Sequence, residues 1–463
     1  MKLKTTLITA TAITAIVAAA ILLPVTSHKS FSIGTGSGTL VVDNAKIGAQ
    51  ALDTIKIKGG KYTSITIQNF NTSGGSVIIT DSGLVEVTGN GNSMTLSNIS
   101  NVIITGTGSA GNNQGFSLHD ANYRPMRWSG VFHNVQIDHF LFKNTADYTI
   151  SWDFTNTVYK DSSTVYSDIH ILNTEFANIG GMINLDGGIK NGQITGLINR
   201  LEIAYCNLHD ASPGDFFSVE MAQDYNIHDN IGTRLNATNN NHNGIFHLQG
   251  NGQFYNNKFT NIQGNSLRAW AVSIGTTPKQ IAIYNNITDS TRKYSGYEVQ
   301  SFSNLIISGK TTYANATLSN NTVGDLDWSK DNAISAGLVD AYALFGGSLT
   351  ATNNLLFNTS PANTIINQEA DVPITATGNI YQPTWKTAVT DLITFKSLFP
   401  GVGAASTPVV VTPPAPANTG GNTPGSTTIH DTIRIHDTVS VFGKVTGTYL
   451  LTISKDTLTL KKH

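Results

Sequence analysis

Apolar and polar positions follow a short phrase that recurs along this chain and contains asparagine each time. An apolar residue stands two positions before an Asn or an Asn pair, and another apolar residue follows soon after it. Apart from the longer step between Asn207 and Asn256, successive copies are separated by roughly 27 to 35 residues, which is the range of repeats that stack into a solenoid. The Asn residues at the centre of the copies are Asn173, Asn207, Asn256, Asn285, Asn320 and Asn353.

The segments between these phrases predict strands and turns. They are short, rich in Val, Ile, Thr, Phe and Gly, and have no sustained 3.6-residue apolar period. Each repeat is therefore expected to form one coil of a right-handed parallel β-helix, an all-β solenoid. Asn suits the turn because it tolerates left-handed backbone and can hydrogen-bond to an Asn one coil away. A leucine-rich repeat is the rival, but its Leu-x-x-Leu-x-Leu spacing is missing. The apolar residues expected inside include Ile171, Ile203, Phe254, Ile283 and Leu318.

Composition divides the chain into four segments. Residues 1–27 contain Lys2, Lys4 and a long uncharged apolar stretch, which is the pattern of a signal peptide cut before His28. This predicts a secreted, periplasmic or cell-surface protein, held at a membrane only if the segment is not cleaved. Residues 31–400 form the predicted β-helix, 401–428 a Pro/Gly/Ser/Thr linker, and 429–463 a small β-rich module or tail.

Charge and cysteine content exclude some classes of function. The 463 residues carry a formal net charge of -2, whereas binding to nucleic acid needs a concentrated basic surface. The single cysteine, Cys206, lies inside a repeat and is expected to be a small buried residue rather than a nucleophile.

A second strand in each coil carries the candidate chemistry. Its first and third residues are apolar and its second and fourth mostly polar, so strand alternation directs the polar pair outward. We expect Ser117 and His119 of an earlier coil to extend this face, and Lys293 and Tyr294 to reach it from a neighbouring loop. Stacking predicts one column of Asn184, Ser218, His247, Arg268 and Glu298, and a second column of Asp186, Glu220, Gln249, Trp270 and Gln300.

The types of residue in these columns predict a binding or catalytic face. An exposed sheet surface needs only short polar side chains, yet carboxylates, His, Arg and Trp occur together here. Trp270 offers an apolar plate for a sugar ring, and the columns are long enough for several sugar units. The residues expected to bind substrate are Trp270, Gln249, Gln300, Asn184, Ser218, Lys293 and Tyr294.

In its coil pattern the chain resembles the pectin lyase-like superfamily of right-handed parallel β-helices. The resemblance extends over most of residues 31–400 and includes the phrase Ser100-Asn-Val-Ile-Ile-Thr-Gly106. Gln136-Ile137-Asp138-His139 is similar to a Trp-Ile-Asp-His phrase of pectate lyases, with Gln in place of Trp. The superfamily includes lyases, hydrolases, epimerases, tailspikes and adhesins, so the fold does not select the reaction.

Two chemistries and one structural role fit the face. In a lyase, Arg268 or His247 would abstract the proton beside a uronate carboxylate, while Asp186 and Glu220 would bind calcium; the resemblance implies an Arg in the first role. In a glycoside hydrolase, Asp186 and Glu220 at about 5 Å would suit retention, and pairs with Glu298 would lie farther apart. The cationic pair favours an acidic polysaccharide, which ranks the lyase first. A surface protein that only binds glycan, or spaces the C-terminal module, is the third hypothesis.

Overall fold

The computed structural model describes most of the predicted solenoid and two short segments near the C-terminus. The predicted signal peptide and residues 405–428 of the predicted linker lie outside the described residues. The described residues are 28–153, 157–211, 217–235, 244–274, 279–301, 306–307, 310–311, 313–329, 336–344, 346–357, 366–368, 372–382, 399–404, 449–454 and 457–462.

The first half of the chain contains the longer strands and two short helical turns. Several of these strands bend through a corner of the coil and continue on the next side. The elements are β1 (Ser30–Ile33), β2 (Ser37–Asp43), α1 (Asn44–Ile47), β3 (Thr54–Asn71), β4 (Val77–Val87), β5 (Met94–Thr105), β6 (Phe116–His119), β7 (Met126–Asp138), β8 (Phe140–Asp153), the 3-10 turn η1 (Ser162–Thr164), β9 (Tyr166–Leu172), β10 (Glu175–Asp186), β11 (Gly188–Lys190), β12 (Gln193–Thr195), β13 (Ile198–Ala204) and β14 (Asn207–Ala211).

The second half contains mostly short strands. They are β15 (Phe217–His228), β16 (Ile231–Leu235), β17 (Phe246–Tyr255), β18 (Lys258–Ile262), β19 (Leu267–Ala271), β20 (Lys279–Tyr284), β21 (Ile287–Thr291), β22 (Tyr297–Gln300), β23 (Ile306–Ile307), β24 (Lys310–Thr311), β25 (Ala314–Ser319), β26 (Thr322–Gly324), β27 (Val339–Ala341), β28 (Leu349–Thr352), β29 (Leu355–Phe357), β30 (Ile366–Gln368), β31 (Ile374–Thr377), β32 (Ile380–Gln382), β33 (Tyr449–Ser454) and β34 (Thr457–Lys462).

Each coil has three sides, and each side pairs in parallel with the same side of the next coil. Face 1 follows the asparagine turn, where Phe176 of β10 pairs with Leu208 of β14. Face 2 comes next, where Ile183 pairs with Phe217. Face 3 leads to the next asparagine turn, where Ile203 pairs with Ile227. These parallel ladders confirm the predicted all-β parallel β-helix, and the near absence of helix among the described residues excludes a leucine-rich repeat.

The core is a column of apolar side chains that runs through the coils. The five residues predicted to point inward, Ile171, Ile203, Phe254, Ile283 and Leu318, are all 0% exposed, which confirms the prediction. Aromatic rings stack from coil to coil within this core, with centroids 5.3 Å apart for Phe142 and Phe176 and 4.1 Å apart for Phe217 and Phe246.

A ladder of buried asparagines joins the turns between face 3 and face 1. In the central rung, Nδ2 of Asn286 donates to the carbonyl of Phe254 at 2.9 Å and to Oδ1 of Asn321 at 3.0 Å. The same Asn286 accepts from the backbone N–H of Asn257 at 2.9 Å. The amide group of Asn286 therefore bridges three successive coils, and Asn379, the last of the ladder, bonds to the coil before it. The ladder consists of Asn230, Asn257, Asn286, Asn321, Asn354 and Asn379.

At five turns into face 1 an asparagine holds the left-handed backbone that the turn requires, whereas Asp229 and Gly378 hold it before Asn230 and Asn379. The φ angles are 47° at Asn173, 55° at Asn256, 56° at Asn285, 54° at Asn320 and 55° at Asn353. These five positions confirm the role predicted for asparagine, since L residues other than Asn and Gly rarely adopt this region.

The coil that contains Asn207 departs from the predicted frame. There the left-handed residue is Tyr205, with φ of 58°. The next residue, Cys206, takes the ladder position, and its N–H donates to Oδ1 of Asn230 at 3.0 Å. Cys206 is buried as predicted, and burial raises the pKa of its thiol to about 12.

A separate compact unit spans Ala417–His463. In its described residues, β33 and β34 pair as an antiparallel hairpin. The boundary predicted at residue 429 stays a prediction. Nowhere in the described part of the chain is there a helix of the length and hydropathy that crossing a membrane requires.

The ladder predicts a specific cost for losing one rung. Replacing Asn354 with Ala removes its bonds to Leu318 and Asn379 and leaves buried donors of Asn321 without an acceptor. We expect the free energy of unfolding to fall by roughly 1–3 kcal/mol, measured by urea denaturation. The matched control is Asn353→Gly, because Asn353 is exposed and left-handed; equal losses in both variants would contradict the role given to the ladder.

Candidate functional site

The strand register of face 2 stacks the whole first column and the Gln249, Trp270 and Gln300 part of the second. In the first column Asn184 pairs with Ser218, Ser218 with His247, His247 with Arg268, and Arg268 with Glu298. In the second column Gln249 pairs with Trp270 and Trp270 with Gln300. Their roles in binding or catalysis stay predictions.

A hydrogen-bonded cluster occupies the centre of these columns. The carboxylate of Glu298 accepts from Nε of Arg268 at 3.2 Å and from Nε1 of Trp270 at 3.3 Å. The Arg268 side chain is 12% exposed and that of Glu298 is 1% exposed. Glu298 therefore restrains the orientation of both the Arg268 guanidinium and the Trp270 indole.

His247 lies against the same cluster from the preceding coil. Its ring contacts that of Trp270 in an edge-to-face arrangement, with centroids 4.7 Å apart and planes at 68°. It is also the register partner of Arg268. An imidazole, a guanidinium and a partly exposed indole are thus brought together on adjacent coils.

Glu220 forms the other acidic part of the face. Its Oε1 accepts from Nε2 of Gln249 at 3.3 Å, and Gln249 is 8% exposed. Asp186 pairs through its backbone with Asp153 of the preceding coil, but its side chain lies outside the described structure. Glu220 and Gln249 therefore belong to one polar surface with His247.

The expected calcium site is not formed by the described side chains. Among the described residues, no group of three or more His, Cys, Asp or Glu side chains is placed to hold a metal ion. Glu220 accepts a hydrogen bond from the amide of Gln249, and the side chain of Asp186 lies outside the described structure. Hard-cation sites need several oxygen ligands, so calcium binding by Asp186 and Glu220 stays a prediction and no step below depends on it.

Burial corrects part of the predicted face. Glu298 points away from the apolar core but is covered, because stacked polar neighbours enclose it. Lys293 and Tyr294 are 4% and 9% exposed and do not reach an open groove. They lie in the turn between face 1 and face 2, where the N–H of Lys293 bonds to the carbonyl of Gln263 one coil earlier. Their role as substrate-binding residues stays a prediction, and the expectation that they reach an open face is corrected by their burial.

Two further residues lie on a different face from the one predicted. Ser117 and His119 of β6 pair with Leu141 and Lys143 of β8, and therefore belong to face 1. Their phrase has the same alternation as face 2, so the pattern alone could not distinguish the two. The residue that does extend the first column is Asp340, the register partner of Glu298 and 0% exposed.

The outer surface of face 3 carries a cluster that sequence reasoning missed. Nδ1 of His170 lies 2.5 Å from one Glu202 oxygen, and Nε2 of His228 lies 3.1 Å from the other. Nδ1 of His228 lies 2.8 Å from Asp229. One pattern in the sequence could have indicated this cluster. Its side chains occupy the polar, outward positions of the alternating strands that lead into the asparagine turn.

Aromatic rings complete this cluster. The ring of His228 stacks on that of Tyr255 at 4.8 Å, and Tyr255 stacks on Tyr284 at 4.8 Å with an interplanar angle of 1°. Neighbouring rings already cover each other's faces, and the carboxylates already bind the imidazoles. The cluster is therefore suited to stabilising the stack of coils rather than to holding a sugar ring.

Electrostatics couple this cluster to pH. Burial raises the pKa of Glu202, but hydrogen bonds to His170 and His228 outweigh it and hold that pKa well below its ordinary value. Burial lowers the pKa of His228, yet its hydrogen bonds to Asp229 and Glu202 raise it overall.

The Gln136-Ile137-Asp138-His139 phrase also lies at the end of face 3. Asp138 accepts from Gln136 and Thr105, and its Oδ1 lies 2.6 Å from Nδ1 of His139. Asp138 and His139 are 5% and 8% exposed. Side chains of this phrase thus hydrogen-bond to one another at a corner of the coil.

Comparisons with known proteins bear on the fold. No protein-family model matches the sequence, and no curated protein matches it. The crystal structure of pectate lyase Pel9A is similar to 83% of this chain over 90% of its own length, with 12% identity and a TM-score of 0.35. The parallel β-helix itself is established by the strand pairings described above.

The face 3 cluster predicts a pH dependence of stability. Because the pKa of His228 is raised, its contribution is present below the ordinary value of 6.5 and is lost as the pH rises through the folded-state pKa. Because the pKa of Glu202 is lowered, its contribution is present above the ordinary value of 4.5 and is lost only in stronger acid. The free energy of unfolding of the parent should therefore fall as the pH rises above 6.5, the ordinary pKa of histidine, and through the raised pKa of His228.

Glu202→Gln should flatten this loss, measured as the free energy of unfolding between mildly acidic and mildly alkaline pH. Gln253→Ala is the control, because it removes a polar contact to Tyr284 on the same face without removing a titratable group. Parallel pH profiles for the parent and Glu202→Gln would contradict the coupling.

Proposed function

We propose that this protein binds an acidic polysaccharide along face 2 and cleaves it by β-elimination. The observation that supports this most strongly is the cluster in which buried Glu298 anchors Arg268 and Trp270 beside His247. Export through residues 1–27 is part of the proposal, since a polysaccharide of this kind lies outside the cell.

The anionic substrate follows from the neighbouring cations. His247 and Arg268 are register partners on adjacent coils, so their backbones lie about 4.8 Å apart. A guanidinium presents a planar set of donors that matches a carboxylate. Glu298 holds Nε of Arg268, which gives that plane one orientation.

The hydrogen bond between Arg268 and Glu298 supports different roles for the Arg268 and His247 side chains. Guanidinium groups do not lose their proton in proteins, and Arg268 is moreover paired with a buried carboxylate. Arg268 is therefore suited to neutralising the charge of a uronate as it develops in the transition state. His247 is left as the general base, because imidazole exchanges a proton near neutral pH.

The proposed reaction breaks a carbon–hydrogen bond and a carbon–oxygen bond. His247 takes the proton from the carbon next to the uronate carboxylate. The electron pair forms a carbon–carbon double bond, and the glycosidic oxygen on the next carbon leaves and takes a proton from water. Arg268 stabilises the negative charge on the carboxylate during this transfer, and Trp270 supports the ring with its apolar face.

Hydrolysis ranks second on geometry. It requires one carboxylic acid that donates a proton and a second carboxylate across the bond. Glu298 instead accepts hydrogen bonds from two neighbours and is buried. Asp340, the next carboxylate of the first column, is 0% exposed, and Glu220 accepts a hydrogen bond from Gln249.

The test is the release of unsaturated uronate, followed by ultraviolet absorbance, from alginate, pectin and glycosaminoglycans. His247→Ala should lower kcat by about 10² to 10⁴ because a general base contributes by this amount. Arg268→Ala should lower kcat as well, and Arg268→Lys should restore only part of it, since a point charge replaces the planar donors.

Arg127→Ala is the matched control. Arg127 lies in the same outward column, several coils before His247, and is exposed; its loss should leave kcat unchanged. Reducing ends without absorbance would identify a hydrolase. If neither ultraviolet absorbance nor new reducing ends appear but the polysaccharide still binds, the protein binds glycan without cleaving it.

A further inference from the structure

A cavity of about 410 Å³ lies at the corner where face 2 turns into face 3. Its floor comes from Ser167, Asn199 and Gln223, which are register partners on three successive coils. Its outer wall comes from the loops that follow face 2. The cavity shares no lining residue with the candidate site around Arg268.

The outer wall is apolar and has its own small core. Tyr159, Val165 and Ile274 line the cavity and pack against a buried cluster of Ile194, Leu197, Met221 and Val272. Leu197 is itself 4% exposed and lines the cavity. This second core gives the wall a support independent of the main core, so the cavity has a defined shape.

The opposite rim is polar, and its charges are compensated. Arg200 donates to both oxygens of Asp168 at 2.6 Å. Nζ of Lys279 lies 3.2 Å from Oδ1 of Asp224. Each cation of the rim thus has its own carboxylate, and the described lining of the cavity contains no histidine comparable to His247 of face 2.

Polar groups also reach the interior of the cavity. Gln223 is 6% exposed and held by Asn251 and by the carbonyl of Val272. Ser162 lies opposite on the one-turn helix η1 and is exposed. A ligand in the cavity would therefore meet an aromatic and aliphatic wall on one side and hydroxyl, amide and ion-pair groups on the other.

We infer that this cavity is a second binding site, which takes one neutral sugar unit of a glycan. Its volume falls within the range of about 300–1,000 Å³ found for ligand pockets. A pyranose has an apolar ring face, which suits Tyr159, and a rim of hydroxyls, which suits compensated polar groups. The site differs from face 2 in chemistry, because face 2 presents Arg268 and His247 to an anionic sugar.

The experiment measures binding of the methyl glycosides of glucose, galactose, mannose and xylose to the full chain, by saturation-transfer NMR and calorimetry. We expect at least one glycoside to bind with a Kd of the order of 1 mM. The methyl glycoside of galacturonic acid should bind this site at least 10-fold more weakly. Arg268→Ala should leave the neutral glycoside bound, which separates this site from the proposed lyase site.

Two variants locate the site. Tyr159→Ala should weaken binding of the neutral glycoside about 10-fold or more, and Ser162→Phe should block it by filling the cavity from an exposed position. Tyr123→Ala is the matched control, since Tyr123 is 48% exposed and does not line the cavity. Failure of all four glycosides to bind, unchanged binding to both cavity variants, or equal binding of the galacturonic acid glycoside would overturn the inference.

Discussion

The buried asparagine ladder is the interaction on which the rest of the structure depends. A parallel coil must turn sharply between face 3 and face 1, and the turn leaves backbone carbonyls and N–H groups inside the protein. Each ladder Asn before Asn379 bonds to a carbonyl of the coil before it and to the Asn of the coil after it. Unpaired groups of this kind would each cost roughly 1–3 kcal/mol. The ladder thus keeps successive coils at one height and in one register.

Register then decides which side chains meet on the surface. Since strand side chains alternate, a slip of one residue would move every column to the opposite side. With the observed register, His247, Arg268 and Glu298 stand on three successive coils of face 2. Stacking also encloses polar groups, because a long side chain covers the one beside it. Glu298 is therefore both outward-pointing and buried, which makes it an anchor for Arg268 rather than a group open to solvent.

Sequence pattern predicted the coils, the left-handed asparagines, the first column of face 2 and the Gln249, Trp270 and Gln300 part of the second, because each rests on local alternation and turn chemistry. It failed where several parts of the coil share the same alternation. Ser117 and His119 have the phase of face 2 but belong to face 1. Lys293 and Tyr294 are polar and lie near the face in sequence, yet the turn one coil away covers them. The His170 and Glu202 cluster depends on contacts between coils, which a single repeat does not display.

The most direct test of this account is a crystal structure of the His247→Ala variant with an acidic oligosaccharide bound. The account predicts a uronate carboxylate on the guanidinium of Arg268, a sugar ring against Trp270, and a chain that crosses several coils of face 2. An oligosaccharide bound only to face 1 or face 3, with no sugar carboxylate in contact with Arg268, would contradict it.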